Sequence, residues 1–113
     1  MTIMIVEDNE QMRHTIRRIA AMKNDDVIEC SNGAEAVSAF ALHHPDWVLM
    51  DVNMPVLDGI AATKKITSEH PEARIVMVTD LNDEPFRSAA EKAGASGYVS
   101  KENLFELRTL MRM

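Results

Sequence analysis

The chain has 113 residues, 46% of them hydrophobic, and a formal net charge of −6. That length suits one domain with a single core, no apolar run approaches the roughly 18 residues of a membrane span, and no basic stretch leads into an apolar one as in a secretory signal. The lone cysteine, Cys30, excludes an internal disulfide and fits a reducing cytoplasm, and the acidic balance disfavours contact between this domain and a nucleic-acid backbone.

Ile3-Met4-Ile5-Val6 reads as a first strand and runs into the acidic turn Glu7-Asp8-Asn9-Glu10. Met12, Ile16, Ile19 and Ala20 recur at three- and four-residue spacing, the period of an amphipathic helix. After Asp25-Asp26, the mixed polarity of Val27-Ile28-Glu29-Cys30 predicts a second strand at a sheet edge. Asn32-Gly33 turns into a helix with Ala36, Val37, Phe40 and Ala41 inward, stopped by His43-His44-Pro45. Trp47 to Met50 is a third strand that feeds Asp51-Val52-Asn53-Met54-Pro55-Val56-Leu57-Asp58-Gly59. Asp58 is placed to cap a helix carrying Ile60, Thr63 and Ile66, which ends at His70-Pro71.

Ile75 to Val78 is a fourth strand, ending at Thr79-Asp80. Asn82-Asp83-Glu84-Pro85 carries capping residues and a first-turn proline, so Phe86 to Ala93 should be helical, closed by Gly94. Gly97-Tyr98-Val99 is a brief fifth strand, followed by Ser100-Lys101 and a helix with Leu104, Leu107, Leu110 and Met111. The nine methionines read as adaptable core filler, the four histidines as surface residues without metal-ligand spacing, and Cys30 as a strand residue with no redox role.

Strict alternation of strand and helix predicts a doubly wound parallel sheet with helices on both faces. The most apolar strands, first, third and fourth, belong at its centre. Strand order 2-1-3-4-5 satisfies this and reverses the chain between strands one and three, where open α/β sheets bind ligands at the strands' carboxyl ends. Residues 1–113 are therefore expected to form one flavodoxin-like domain with five strands and five helices.

In that order Glu7, Asp8 and Asp51 share one crevice. Three carboxylates repel one another, and a divalent cation resolves the repulsion. An oxygen-rich, incomplete site that keeps waters suits Mg²⁺, held by Asp8, Asp51 and a backbone carbonyl from the following turn. Thr79 and Lys101 end neighbouring strands at the same edge. A hydroxyl and an ammonium aimed at one carboxylate make sense if Asp51 becomes an acyl phosphate. No glycine-rich phosphate loop is present, so the phosphoryl group must arrive on another molecule.

Glu7-Asp8, Asp51 with Met54-Pro55 and Asp58-Gly59, Thr79, Tyr98 and Lys101 together resemble the receiver domain of two-component response regulators, over essentially the whole chain. The resemblance implies that Asp51 accepts phosphate from a histidine kinase or phosphotransfer protein. It implies Mg²⁺ bound by Asp8, Asp51 and the Asn53 carbonyl, with Glu7 acting through a water. Lys101 would hold the phosphate, while Thr79 and Tyr98 would move together to re-form the face of helix four, strand five and helix five. That face would carry the output and could support a homodimer.

Two departures from the family pattern stand out. Asp80 follows the switch threonine where a small residue is usual, and an added carboxylate there should slow phosphorylation by small donors. Glu102 follows Lys101 where proline is common; Lys101-Glu102 resembles the subfamily whose receivers precede a helix-turn-helix DNA-binding domain, so DNA contact is expected only through such a further domain. The expected function is the regulatory part of a transcription regulator, with a stand-alone receiver as the alternative. A Mg²⁺-dependent aspartyl-phosphate phosphatase is disfavoured, because such enzymes need an acid two residues after the nucleophile and Asn53 stands there. Singly, each residue also has a structural reading: Asp8 as a helix cap paired with Gln11, Asp51 as a turn residue, Lys101 as a solvated charge and Thr79 as a strand end.

Overall fold

The computed structural model describes residues 1–80 and 84–112. Its elements, in chain order, are β1 (Thr2–Val6), α1 (Glu10–Ala20), β2 (Asp26–Cys30), α2 (Gly33–His43), β3 (Trp47–Met50), α3 (Gly59–Glu69), β4 (Ile75–Thr79), α4 (Glu84–Lys92), β5 (Gly97–Ser100) and α5 (Glu106–Met111). The five strands are all parallel in the order β2-β1-β3-β4-β5, the flavodoxin-like topology that the sequence predicts.

Alternation along the central strands sends successive side chains to opposite faces. Met4, Val6, Val48, Met50, Ile75 and Met77 meet Ala36, Phe40, Ala62, Ile66 and Ala90 of α2, α3 and α4. Ile3, Ile5, Leu49, Val76 and Val78 meet Ile16 and Ala20 of α1 and Leu107 and Met111 of α5. Burial on both faces is why these strands are continuously apolar. Each fully buried Ile, Val or Met contributes about 1.5–3 kcal/mol. Half-exposed β2 takes the edge, as its polarity requires. No helix among the described residues is long and apolar enough to cross a membrane.

Three helices start on side-chain caps. Asn9 accepts from the Met12 N–H at 2.8 Å, Asn32 from Glu35 at 2.9 Å and Asp58 from Ala61 at 2.9 Å. The α1 cap is Asn9 and not Asp8, which leaves the Asp8 carboxylate out of any capping role. Several expectations need correction. Ala41 is exposed, because the inward stripe of α2 runs through Gly33, Ala36 and Phe40, with Val37 packed against it as expected. His70 is half-buried, its ring 4.9 Å from that of Phe40. The last helix is shorter than its apolar spacing suggests: Ser100 accepts from the Glu102 N–H at 3.2 Å and starts a 3-10 turn over Lys101–Asn103, so Leu104 precedes α5. The proposed capping residues Asn82 and Asp83 lie outside the described residues.

Candidate functional site

The register places the carboxyl ends of the strands side by side. Val6 pairs with Met50 and Thr79 with Ser100, so the residues just beyond them face one another across the sheet edge. The Asp51 N–H donates to the Val6 carbonyl at 3.0 Å, and the Glu7 N–H donates to Cys30 at 3.0 Å. Gly59, the first residue of α3, packs directly over the turn: a Cβ there would lie 1.8 Å from the Asp51 carbonyl oxygen. Only glycine permits that approach, which fixes where β3 ends and where the Asp51 side chain starts.

Asp51 and Glu7 are buried, 4% and 1% exposed, whereas Asp8 is exposed. One ligand atom from each of the three lies within 4.8 Å of the others. The Lys101 ammonium sits 2.7 Å from Glu7 Oε1 and 3.6 Å from Asp51 Oδ1. The Asn9 N–H donates to Glu7 Oε2 at 3.1 Å, and the Asn53 N–H reaches Asp51 Oδ1 at 3.4 Å. Glu7, Asp8, Asn9, Asp51, Asn53, Thr79, Asp80 and Lys101 line one cavity of about 280 Å³. Seven of the eight residues singled out from the sequence thus meet at one place; Tyr98 lines a different cavity, beside α4.

Burial pushes the Glu7 carboxyl up, against the opposing pull of Lys101 and the Asn9 N–H. Burial raises Asp51 as well, countered by Lys101 and the Asn53 N–H and reinforced by Asp8. For Lys101 desolvation acts downward, but the Glu7 hydrogen bond and the charges of Asp51, Glu7 and Asp80 outweigh it and raise it overall. Among the described residues, the carboxylates of Glu7, Asp8, Asp51 and Asp80 therefore share one cavity with a single ammonium. A surplus of hard anionic oxygens in a polar cavity fits a divalent cation of the magnesium kind.

Two contributors escaped the sequence reading. Asn9 both caps α1 and supports Glu7, and Arg13 donates to the Glu7 carbonyl at 2.8 Å while its Nε reaches Glu29 at 2.9 Å. The available signal was the helix-start asparagine after the acidic pair, which caps as readily as aspartate. The Lys101–Glu7 contact is a further finding: the lysine assigned to a phosphate is closest to the carboxylate assigned to a water.

The family model described as "Response regulator receiver domain" matches residues 3–112. The chain is 39% identical over 99 residues to chemotaxis protein CheY of Halobacterium salinarum, covering 88% of this chain and 82% of that one. It is 33% identical over 102 residues to the transcriptional regulatory protein DegU of Brevibacillus brevis, covering 88% of this chain but only 43% of that protein. Among solved structures, a LuxR-family two-component response regulator from Aurantimonas sp. SI85-9A1 aligns with a TM-score of 0.89 at 34% identity, over 96% of this chain and 79% of that one. The response regulator domain of Thermotoga maritima CheB aligns with a TM-score of 0.84 at 27% identity, over 100% and 97%. With its sheet order, its acidic crevice and these matches, the chain belongs to the response regulator receiver domains of two-component systems.

Proposed function

We propose that this receiver is a phosphorylation switch whose acceptor is Asp51. One observation carries the reading: a nearly sealed carboxylate lies 3.6 Å from an ammonium, in a cavity whose other walls include Glu7, Asp8 and Thr79. An Asp51 carboxylate oxygen attacks the phosphorus of a phosphohistidine on a histidine kinase or phosphotransfer protein. The P–O bond forms as the P–N bond breaks, and the imidazole nitrogen that leaves keeps the electron pair and takes a proton from solvent.

Asp8, Asp51 and the Asn53 backbone carbonyl would hold Mg²⁺, with Glu7 contributing through a water. The ion supplies positive charge for the phosphoryl oxygens and neutralises the acidic cluster. Lys101 exchanges Glu7 for a phosphoryl oxygen, Thr79 donates its hydroxyl to another, and Tyr98 turns inward in step. The α4, β5 and α5 face then presents the output and is the surface for a homodimer.

Asn53 has no acid to offer, so water is not driven onto the acyl phosphate and the signal persists. External turnover is not part of this function, although the domain catalyses its own phosphorylation and slow dephosphorylation. Lys101-Glu102 and the likeness to DegU support a cytoplasmic receiver that regulates transcription through a separate DNA-binding domain. A stand-alone receiver acting on another protein is the second reading, favoured by the 82% coverage of the Halobacterium CheY.

Incubation with Mg²⁺ and phosphoramidate separates switch from phosphatase. The switch predicts one phosphoryl group per chain in the wild type and none in Asp51→Asn. Continuous release of phosphate from external esters, without a lasting adduct, contradicts it.

A further inference from the structure

Tyr98 is the single tyrosine of the chain. It sits half-buried on β5 beside Met77, against the same core layer as α2, α3 and α4. Thr79 is two residues beyond Met77, on the same face of β4, so an inward Tyr98 moves along the face that carries the threonine.

Over the face of the half-buried Tyr98 ring lies the exposed guanidinium of Arg87, on α4, with its central carbon 5.2 Å from the ring centroid, and this half-buried placement is taken as the outer position of the proposed movement. The two residues line a cavity of about 310 Å³ that, among the described residues, shares no lining residue with the Asp51 cavity. Arg87 is exposed, and among the described residues it has no carboxylate partner.

We propose that Arg87 is a positioning residue that latches Tyr98 in its outer place and so sets how readily the switch turns on. The inference rests on the Tyr98 movement of the preceding section. A cation within about 6 Å of an aromatic face attracts it, and at an exposed site this shifts a two-position equilibrium by about two- to fivefold. A ring that turns inward leaves the guanidinium behind. The contact thus favours only the outer position, and a ligand that needs the inner one binds more weakly by the same factor. A partner that draws Arg87 away, such as an acidic segment docking on α4, would lower the threshold.

The lone tyrosine makes the test direct. The protein is labelled with 3-fluorotyrosine, and its ¹⁹F resonance is followed while beryllofluoride, an acyl-phosphate mimic, is added with Mg²⁺. In Arg87→Met the resonance should start at a different position and convert at an about two- to fivefold lower beryllofluoride concentration than in wild type. Arg87→Lys, which keeps the charge, should fall between them, and thermal melting should confirm that all variants are folded. Equal or higher half-conversion concentrations in Arg87→Met overturn the latch. If bound fluoride appears, and is lost in Asp51→Asn, while the wild-type tyrosine signal stays still, the Tyr98 movement fails and the latch with it. If no fluoride binds at all, the acceptor reading fails first.

Discussion

Asp51 and Asp80 are carboxylates on the walls of one cavity, yet only Asp51 is sealed from water. Burial and Asp8 push its carboxyl up, against the opposing pull of Lys101 and the Asn53 N–H. Asp80 is exposed and lines the same cavity, so its charge would face an anionic donor entering there. Replacing it tests whether that charge matters. Acetyl phosphate or phosphoramidate should phosphorylate Asp80→Ala about two- to fivefold faster than wild type at low salt, with the gap closing as salt is raised. Equal rates at every ionic strength would show that the Asp80 charge has no part in phosphorylation. Glu7, Asp8, Asp51, Thr79 and Lys101 were legible in the sequence because each ends a strand or lies within two residues of its end. Asn9 and Gly59 were harder: one acts through its backbone N–H, and the other matters for a side chain that it lacks.

Among the elements, the turn between β3 and α3 carries the cost of the site. Val56 and Leu57 both have positive φ, 61° and 129°, in a region that β-branched and bulky residues avoid. Leu57 packs against the core, whereas Val56 is 71% exposed and holds its conformation for no packing gain. Val56→Asn should therefore raise stability by about 0.5–1 kcal/mol, since asparagine tolerates the left-handed region. A urea midpoint that rises with an unchanged slope checks this, and an unchanged or lower midpoint refutes the strain. The turn's location was readable from its proline and glycine, but its handedness was not, because Val56 is a residue that argues against it. The ends of the chain show a similar limit. Apolar spacing gave α5 an extra turn, which the Ser100 cap spends on a 3-10 turn instead.

At the scale of the molecule, Asp25 ties distant parts together. It accepts from the Met22 N–H at 2.8 Å, pairs with the N-terminal ammonium at 3.0 Å and with the Arg112 guanidinium. Arg108 and Arg112 of the α5 segment also donate to the last carbonyls of α1, at Ile19 and Ala20, which joins the two helices of that face. These partners, the Met22 N–H foremost, hold the Asp25 carboxyl down at about 2, below its ordinary 3.8. The depressed group stabilises the fold above pH 3.8, and that contribution is lost as pH falls through about 2. Asp25→Asn should accordingly be less stable than wild type at pH 5, with the difference fading toward pH 2; a gap that stays constant with pH rules the linkage out. The sheet order was readable because polarity alone sorted edge from centre. The Asp25 tie was not, since nothing local connects residues that are 87 positions apart.

In the proposed switch Asp51 carries the phosphoryl group. Reductive trapping measures it directly: the protein is phosphorylated with phosphoramidate and Mg²⁺, treated with borohydride, and digested for peptide mass mapping. Borohydride reduces an aspartyl phosphate to homoserine and leaves a free carboxylate unchanged. Conversion should occur at position 51 alone, depend on Mg²⁺ and be absent from Asp51→Asn. Conversion at Asp8 or Asp80 instead, or none in a protein shown to hold phosphate, would contradict it.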